Sequence, residues 1–292
     1  TSLFVCPLCA APLTRQDGVY RCPDGHTFDI AKEGHTYLLP VNRKHSKAPG
    51  DDKAMAAARS AFLSKGYYAP LRDAICELGV SLTGDRPAVL DSGCGEGYHT
   101  LRITESLSQS RGGVLTYGFD ASKIAVGYAA KAAARHRYTG ESGMGSDGET
   151  ICAFCPANIY ALPLADSSVD AVLSMFAPVA VDENLRVLRE EGILLVASSG
   201  VRHLTEMRAL LYDDVHYHED TAAVYEGFTL VDTTDVRYTM HVPDCDTLRA
   251  LWTMTPFYYR TTPAGKERLF STNSLDCTVD VRLSVYKKAV AK

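Results

Sequence analysis

No stretch of apolar residues in this 292-residue chain approaches the ~20 needed to cross a bilayer as a helix, and its first residues lack the basic start and apolar core of a secretory signal. These absences set the cytoplasm as the expected location. A net basic charge is missing too: the formal net charge is −5, so bulk charge gives no sign of a nucleic-acid partner. The nine cysteines are odd in number and lie in a chain too large to need disulfide staples, which argues against a secreted disulfide framework and for reduced or metal-bound thiols. No internal repeat is visible, which sets aside solenoid architectures.

What is present is unevenly distributed. Lys and Arg outnumber Asp and Glu over residues 1–72 while the remainder is acidic, so the N-terminal part is the one expected to meet an anionic partner. Residues 1–40 are rich in Cys, Gly and Pro with short apolar runs such as Tyr37-Leu38-Leu39, the pattern of small β-hairpins held by something other than a core, and are predicted to be a zinc-binding domain. Residues 41–84 form a basic linker and helices: Arg43-Lys44-His45-Ser46-Lys47 runs into the turn signal Ala48-Pro49-Gly50, after which Met55, Ala58, Phe62, Leu71, Ile75 and Leu78 recur at helical steps. Over residues 85–292 apolar runs alternate with helical patterns, the signature of βαβ units on a parallel sheet. Strands are predicted over 88–91, 114–120, 151–156, 169–176 and 193–198, closing antiparallel strands over 228–242 and 277–286, and a helix over 247–254. The glycine-rich stretch 140–148 is expected to be a flexible surface insertion.

The first of these strands runs into Asp91-Ser92-Gly93-Cys94-Gly95-Glu96-Gly97. Glycines at 93, 95 and 97 permit positive φ and close approach of a ligand, and the helix that follows offers unpaired N–H groups at its start. A dinucleotide fingerprint would be GxGxxG, yet the third position after Gly95 is Tyr98, so the NAD pattern is absent. That spacing favours S-adenosylmethionine, which has no pyrophosphate to cradle. Asp120 ends the second strand, where a carboxylate can accept both ribose hydroxyls, and Asn158 follows the third, where adenine edges are read. The predicted fold class is α/β, a Rossmann-like class I methyltransferase sheet with a small N-terminal zinc-ribbon-like domain.

Cys6-Pro7-Leu8-Cys9 and Cys22-Pro23-Asp24-Gly25-His26 give CxxC followed by CxxxH, a closed set of three thiolates and one imidazole suited to structural zinc. His35 is a competing imidazole and is expected to be a surface or satisfied residue. Cys152 and Cys155 form a second CxxC, but on a strand residues three apart point to opposite faces and cannot chelate one ion, so both are expected to be buried apolar residues.

With these residues in hand the chain closely resembles the bacterial 23S rRNA guanine-N1 methyltransferase family, nearly end to end. The resemblance is carried by the zinc knuckles, Phe28-Asp29-Ile30-Ala31-Lys32-Glu33-Gly34, Pro49-Gly50-Asp51, the cofactor loop through Tyr98, Phe176-Ala177-Pro178, Arg202-His203-Leu204 and Met254-Thr255-Pro256-Phe257. It implies methylation of a guanine N1 in a hairpin loop of 23S rRNA near the peptide exit tunnel, by a zinc-bearing homodimer that uses S-adenosylmethionine. Some members of such a family contribute to macrolide resistance. Two departures stand out: the insertion at 140–148 is long, and Arg189-Glu190-Glu191-Gly192 replaces a Lys-Pro-Gly-Gly turn before the fifth strand.

Guanine N1 must lose a proton before it can attack a methyl group, so a general base or water relay is expected. His203, Glu206 and Asp182 are the candidates near strand ends, with no pattern deciding among them, and His203 with Glu206 reads more readily as a local helix pair. Phe176 could stack on an extruded base or pack in the core. The strand it ends has neither the Asn/Asp-Pro-Pro-aromatic signature of amino methylation nor the Pro-Cys of covalent attack on a pyrimidine, which leaves ring-nitrogen methylation. Arg43, Lys44, Lys47, Lys53, Arg59 and Lys65 are the expected phosphate contacts, against the alternative of a solvated linker. Two other classes compete: a small-molecule methyltransferase of the quinone-pathway type, which has no use for a zinc module, and a non-catalytic zinc protein that binds RNA without a cofactor.

Overall fold

The computed structural model describes residues 3–38, 52–136, 150–214 and 221–289. The basic run with Arg43, Lys44 and Lys47 and the insertion at 140–148 lie outside the described residues. At the N-terminus β1 (Thr14–Gln16), β2 (Val19–Arg21) and β3 (Thr27–Asp29) form an antiparallel sheet in that order. Asp17 and Gly18, both at positive φ, turn β1 into β2 with the twist a two-residue hairpin requires. Helix α1 (Lys53–Leu63) starts where the Asp52 carboxylate accepts the Met55 N–H at 2.9 Å, and α2 (Ala69–Leu82) follows with Pro70 in its first turn.

The larger sheet is built from β4 (Ala88–Ser92), α3 (Tyr98–Arg111), β5 (Val114–Asp120), α4 (Lys123–Arg135), β6 (Thr150–Pro156), β7 (Val169–Met175), α5 (Val181–Val187), β8 (Leu188–Ser199), α6 (Thr205–Leu211), β9 (Phe228–Val242), α7 (Cys245–Thr253), α8 (Pro263–Phe270) and β10 (Leu275–Lys288). Its strand order is β6-β5-β4-β7-β8-β10-β9. The pairings from β6 through β8 are parallel, and β10 pairs antiparallel with both β8 and β9. Strand order reverses between β4 and β7, which opens the crevice where ligands of such sheets bind. The predicted parallel strands and closing antiparallel pair are therefore present. Arg189–Gly192, the segment that replaces the family's usual turn, forms a bulge inside β8: Leu188 already pairs with Val169, the register then slips, and Glu191 takes a φ of 61°.

Side chains alternate between two packed faces. Val89 joins the core under α2 and α3, whereas Leu90 faces a second core shared with Phe4, Leu13, Cys22 and Leu38 of the N-terminal module. Phe4 sits edge-on to Tyr117 and Phe119, with ring centroids 5.0 and 6.0 Å away, and the Val5 N–H donates to the Pro163 carbonyl at 2.9 Å. Among the described residues the module thus has no separate core of its own; its apolar side chains cover one face of the large sheet. Cys152 and Cys155 are buried on opposite faces, in separate clusters. None of the helices among the described residues is long and apolar enough to cross a membrane.

Candidate functional site

The knuckles bring Cys6, Cys9, Cys22 and His26 together with all four donor atoms within 4.8 Å of one another. The Cys9 and Cys22 sulfurs are 3.7 Å apart, and His26 Nδ1 lies 3.6 Å from Cys6 Sγ and 3.3 Å from Cys22 Sγ. Zn–S bonds of ~2.3 Å and Zn–N bonds of ~2.1 Å give tetrahedral edges of about 3.8 Å between sulfurs and about 3.6 Å from sulfur to nitrogen, so the donor set fits zinc. Four protein ligands leave no open position, which makes the site structural. His35 departs from expectation. It is neither a ligand nor a surface residue: it is 3% exposed, and neither ring nitrogen has a hydrogen-bond partner. Burial lowers its pKa and keeps the ring neutral.

A cavity of about 830 Å³ opens at the β4–β7 crevice and gathers the loop after β4, Asp120, Asn158, Phe176, His203 and Arg59. Gly93, at a φ of 94°, lies so close to Ala177 that an added Cβ would sit 2.5 Å from the Ala177 Cβ, so only glycine lets the loop pass the end of β7. Asp91 is 1% exposed; its Oδ2 accepts the Thr100 hydroxyl at 2.6 Å, and its Oδ1 has no partner. The Asp120 carboxylate is oriented by two backbone amides, accepting from Gly95 at 3.0 Å and from Ser122 at 2.7 Å. Asn158 Oδ1 accepts the Tyr160 N–H at 3.0 Å, which fixes the amide at the cavity wall.

Phe176 follows β7 with a φ of 55°, a conformation that aromatic residues rarely adopt, and is 44% exposed into the cavity rather than packed in the core. Its ring lies near-parallel to that of His203, 26° apart with centroids separated by 5.9 Å. His203 itself is held at both nitrogens. Its Nδ1 accepts the Asp280 backbone N–H at 3.3 Å, and its Nε2 lies 3.4 Å from the Tyr68 hydroxyl. Burial lowers its pKa to about 4, so at neutral pH the ring is uncharged and poorly suited to take a proton.

The other two candidate bases lie outside the cavity. Glu206 accepts the Thr278 N–H at 2.8 Å and the Thr278 hydroxyl at 2.6 Å, which ties α6 to β10. Asp182 belongs to the first turn of α5, away from the lining residues. The basic residues also divide. Lys53 is exposed at the start of α1, whereas Lys65, in the turn after α1, donates to Thr247 Oγ1 of α7 at 2.8 Å. Arg59 turns inward: it donates to the Met254 carbonyl at 2.9 Å, and its guanidinium lies over Gly95 in the cavity. Tyr68 was not marked by any pattern in the sequence; only the approach of His203, 135 positions away, reveals it.

Known proteins match this chain in both parts. A family model described as RlmA, N-terminal, a zinc ribbon, matches residues 4–47, and one described as Methyltransferase domain matches residues 85–277. The 23S rRNA (guanine(748)-N(1))-methyltransferase of Streptomyces fradiae is 36% identical over 205 residues, covering 69% of this chain and 65% of that one, just under two thirds of the relative's length. A Micromonospora griseorubida protein named for 23S rRNA (guanine-N1) methylation is 32% identical, covering 69% of this chain and 67% of its own. A Bacillus subtilis (strain 168) protein named for the same reaction is 29% identical over 300 residues, 98% of each chain.

Proposed function

We propose, because this chain belongs to the 23S rRNA (guanine-N1) methyltransferase family, that it transfers a methyl group from S-adenosylmethionine to N1 of a guanine in 23S rRNA. The observation that carries the proposal is one cavity in which a glycine loop and two strand-end polar residues meet an aromatic residue held at positive φ. The first group suits a nucleoside cofactor, the second a flat base. The finer reading, from the resemblance, is a guanine extruded from a hairpin loop and an enzyme that acts as a homodimer, with Arg43, Lys44, Lys47 and Lys53 contacting phosphates.

The cofactor fits the residues present. The Asp91 oxygen without a partner suits the ammonium of an amino-acid end, Asp120 suits ribose hydroxyls and Asn158 an adenine edge. Arg59 over Gly95 suits the carboxylate of that same amino-acid end, a role in place of the phosphate contact expected from the sequence. When bound, the cofactor supplies a methyl group on a sulfonium, and the chain must hold the guanine in line with it and exclude water. Phe176 offers its exposed ring to that base, with the His203 ring packed near-parallel to it.

Two measurements test this reading. Incubating the protein with 23S rRNA fragments and S-adenosylmethionine should yield 1-methylguanosine by mass mapping; methylation of small phenols with none of RNA would overturn it in favour of a quinone-pathway type of enzyme. Arg59→Ala should raise the Kd for S-adenosylmethionine about tenfold or more, the size of one charge-assisted hydrogen bond, and leave RNA affinity unchanged. Weakened RNA binding with normal cofactor binding would return Arg59 to phosphate contact.

A further inference from the structure

The remaining chemistry at the cavity is a chain of hydrogen bonds whose directions can be deduced. Asp280, 2% exposed, is the anchor. Its carboxylate accepts the Arg237 Nε–H at 2.9 Å and the Arg202 backbone N–H at 2.9 Å, and its carbonyl accepts the Gly200 N–H at 2.8 Å. A Cβ at Gly200 would stand 2.6 Å from the Asp280 Cγ, so the segment from Gly200 to His203 is pressed directly onto this buried carboxylate. The same residue's backbone N–H then donates to His203 Nδ1. In a neutral imidazole one nitrogen accepts and the other carries the proton, so Nε2 is the protonated nitrogen and donates to the Tyr68 oxygen. A phenol has one proton, and with its oxygen accepting from His203 that proton is directed away from the histidine. Burial raises the Tyr68 pKa and lowers that of His203, so both keep these protonation states at neutral pH.

A hydrogen bond to a ring nitrogen lies close to the ring plane, so the Tyr68 oxygen stands at the edge of the His203 ring, in the same cavity that Phe176 lines. We infer that Tyr68 is a catalytic residue whose hydroxyl donates a hydrogen bond to O6 of the target guanine, with His203 and the Asp280 backbone as the positioning groups that aim it. The inference rests on the guanine-N1 reading above. As the N1 proton leaves to water, negative charge spreads from N1 to O6. The N1 lone pair then forms the bond to the methyl carbon while the carbon–sulfur bond breaks with its electron pair going to sulfur. Tyr68 keeps its proton throughout and stabilises the charge on O6 where it develops, as the donors of an oxyanion hole do.

The test compares single-turnover rates of wild type, Tyr68→Phe and His203→Phe on a 23S rRNA fragment saturated with protein and S-adenosylmethionine. Tyr68→Phe should lower the rate about 100-fold at neutral pH. The deficit should shrink as pH rises toward the range where guanine ionises without help, and the affinities for RNA and cofactor should change little. His203→Phe keeps a flat ring beside Phe176 but removes the aiming donor, and should lose about tenfold, on the order of one neutral hydrogen bond. A Tyr68→Phe rate within threefold of wild type, or a deficit equal at every pH, would overturn the role of Tyr68. An unchanged rate in His203→Phe would remove the positioning chain. Wild type that forms no 1-methylguanosine on any fragment would fail the guanine-N1 reading itself, an outcome recognisable without either variant.

Discussion

Replacing Cys9 by Ser is expected to remove about one zinc ion per chain and to lower the Tm by about 10 °C or more, an effect larger than the exposed position of most of the N-terminal module suggests. The four donors already lie within 4.8 Å of one another, with Cys9–Cys22, Cys6–His26 and Cys22–His26 near tetrahedral edges, so three of them without the fourth lose the closed geometry that holds the metal. The hairpins β1 to β3 bury almost nothing among themselves: each strand has three residues, none of them fully buried. Their order comes from the knuckles and from Phe4, Leu13 and Cys22, which pack into the sheet core with Leu90, Tyr117, Phe119 and Leu164. Releasing the knuckles therefore uncovers a face of the main sheet, and the penalty falls on the whole molecule rather than on a detachable appendage. Elemental analysis and scanning calorimetry, with and without a chelator, check this. Full zinc loss with an unchanged Tm would show that the sheet face stands without its cover.

The same arrangement explains which features were legible in the sequence. Zinc ligands and the glycine loop depend on short spacings, apolar runs alternating with helical patterns located the parallel strands, and alternating character located the closing antiparallel pair, with the runs at 114–120 and 228–242 matching β5 and β9 from end to end. Contacts between distant segments left no such trace. Arg59 belongs to a helical pattern rich in basic residues, and nothing local distinguishes a side chain turned toward solvent from one turned over Gly95. His203 and Glu206 sit three positions apart with the look of a catalytic pair, yet one carboxylate ties α6 to Thr278 and the other side chain is held between Asp280 and Tyr68. His35 is hidden for a related reason: a lone histidine in a Cys- and Gly-rich segment gives no hint that it will be buried. The departure at residues 189–192 showed only that the family's usual turn is replaced; that a bulge takes its place follows from Leu188 pairing with Val169 before the chain reaches Gly192.

Asp91→Asn is expected to act in opposite directions on stability and on cofactor binding. Burial raises the Asp91 pKa from 3.8 to about 7; the hydrogen bond from Thr100 opposes the rise and the nearby Asp120 charge adds to it. Because the folded value lies above the unfolded one, the folded protein holds a proton between pH 3.8 and about 7 that the unfolded chain has lost. The contribution of this group to stability therefore falls as pH rises through that window and stays low above it, a penalty on the order of a few kcal/mol at about 1.4 kcal/mol per pKa unit. The amide carries no charge, so the free Asn variant should have a higher Tm than wild type at pH 8, and the gap should vanish below pH 4. Binding is expected to show the reverse. The partnerless Asp91 oxygen must be ionised to pair with the ammonium of S-adenosylmethionine, so wild type should bind more tightly as pH rises toward 7.5 and should release a proton on binding. The variant should bind tenfold or more weakly at pH 7.5, with little change from pH 5.5 upward. Calorimetric titrations across that range, repeated in buffers of different ionisation enthalpy, measure both the affinity and the proton. Equal affinity in the two proteins at pH 7.5 would mean that this buried carboxylate serves the loop alone, and the higher Tm of the variant would then have no functional counterpart.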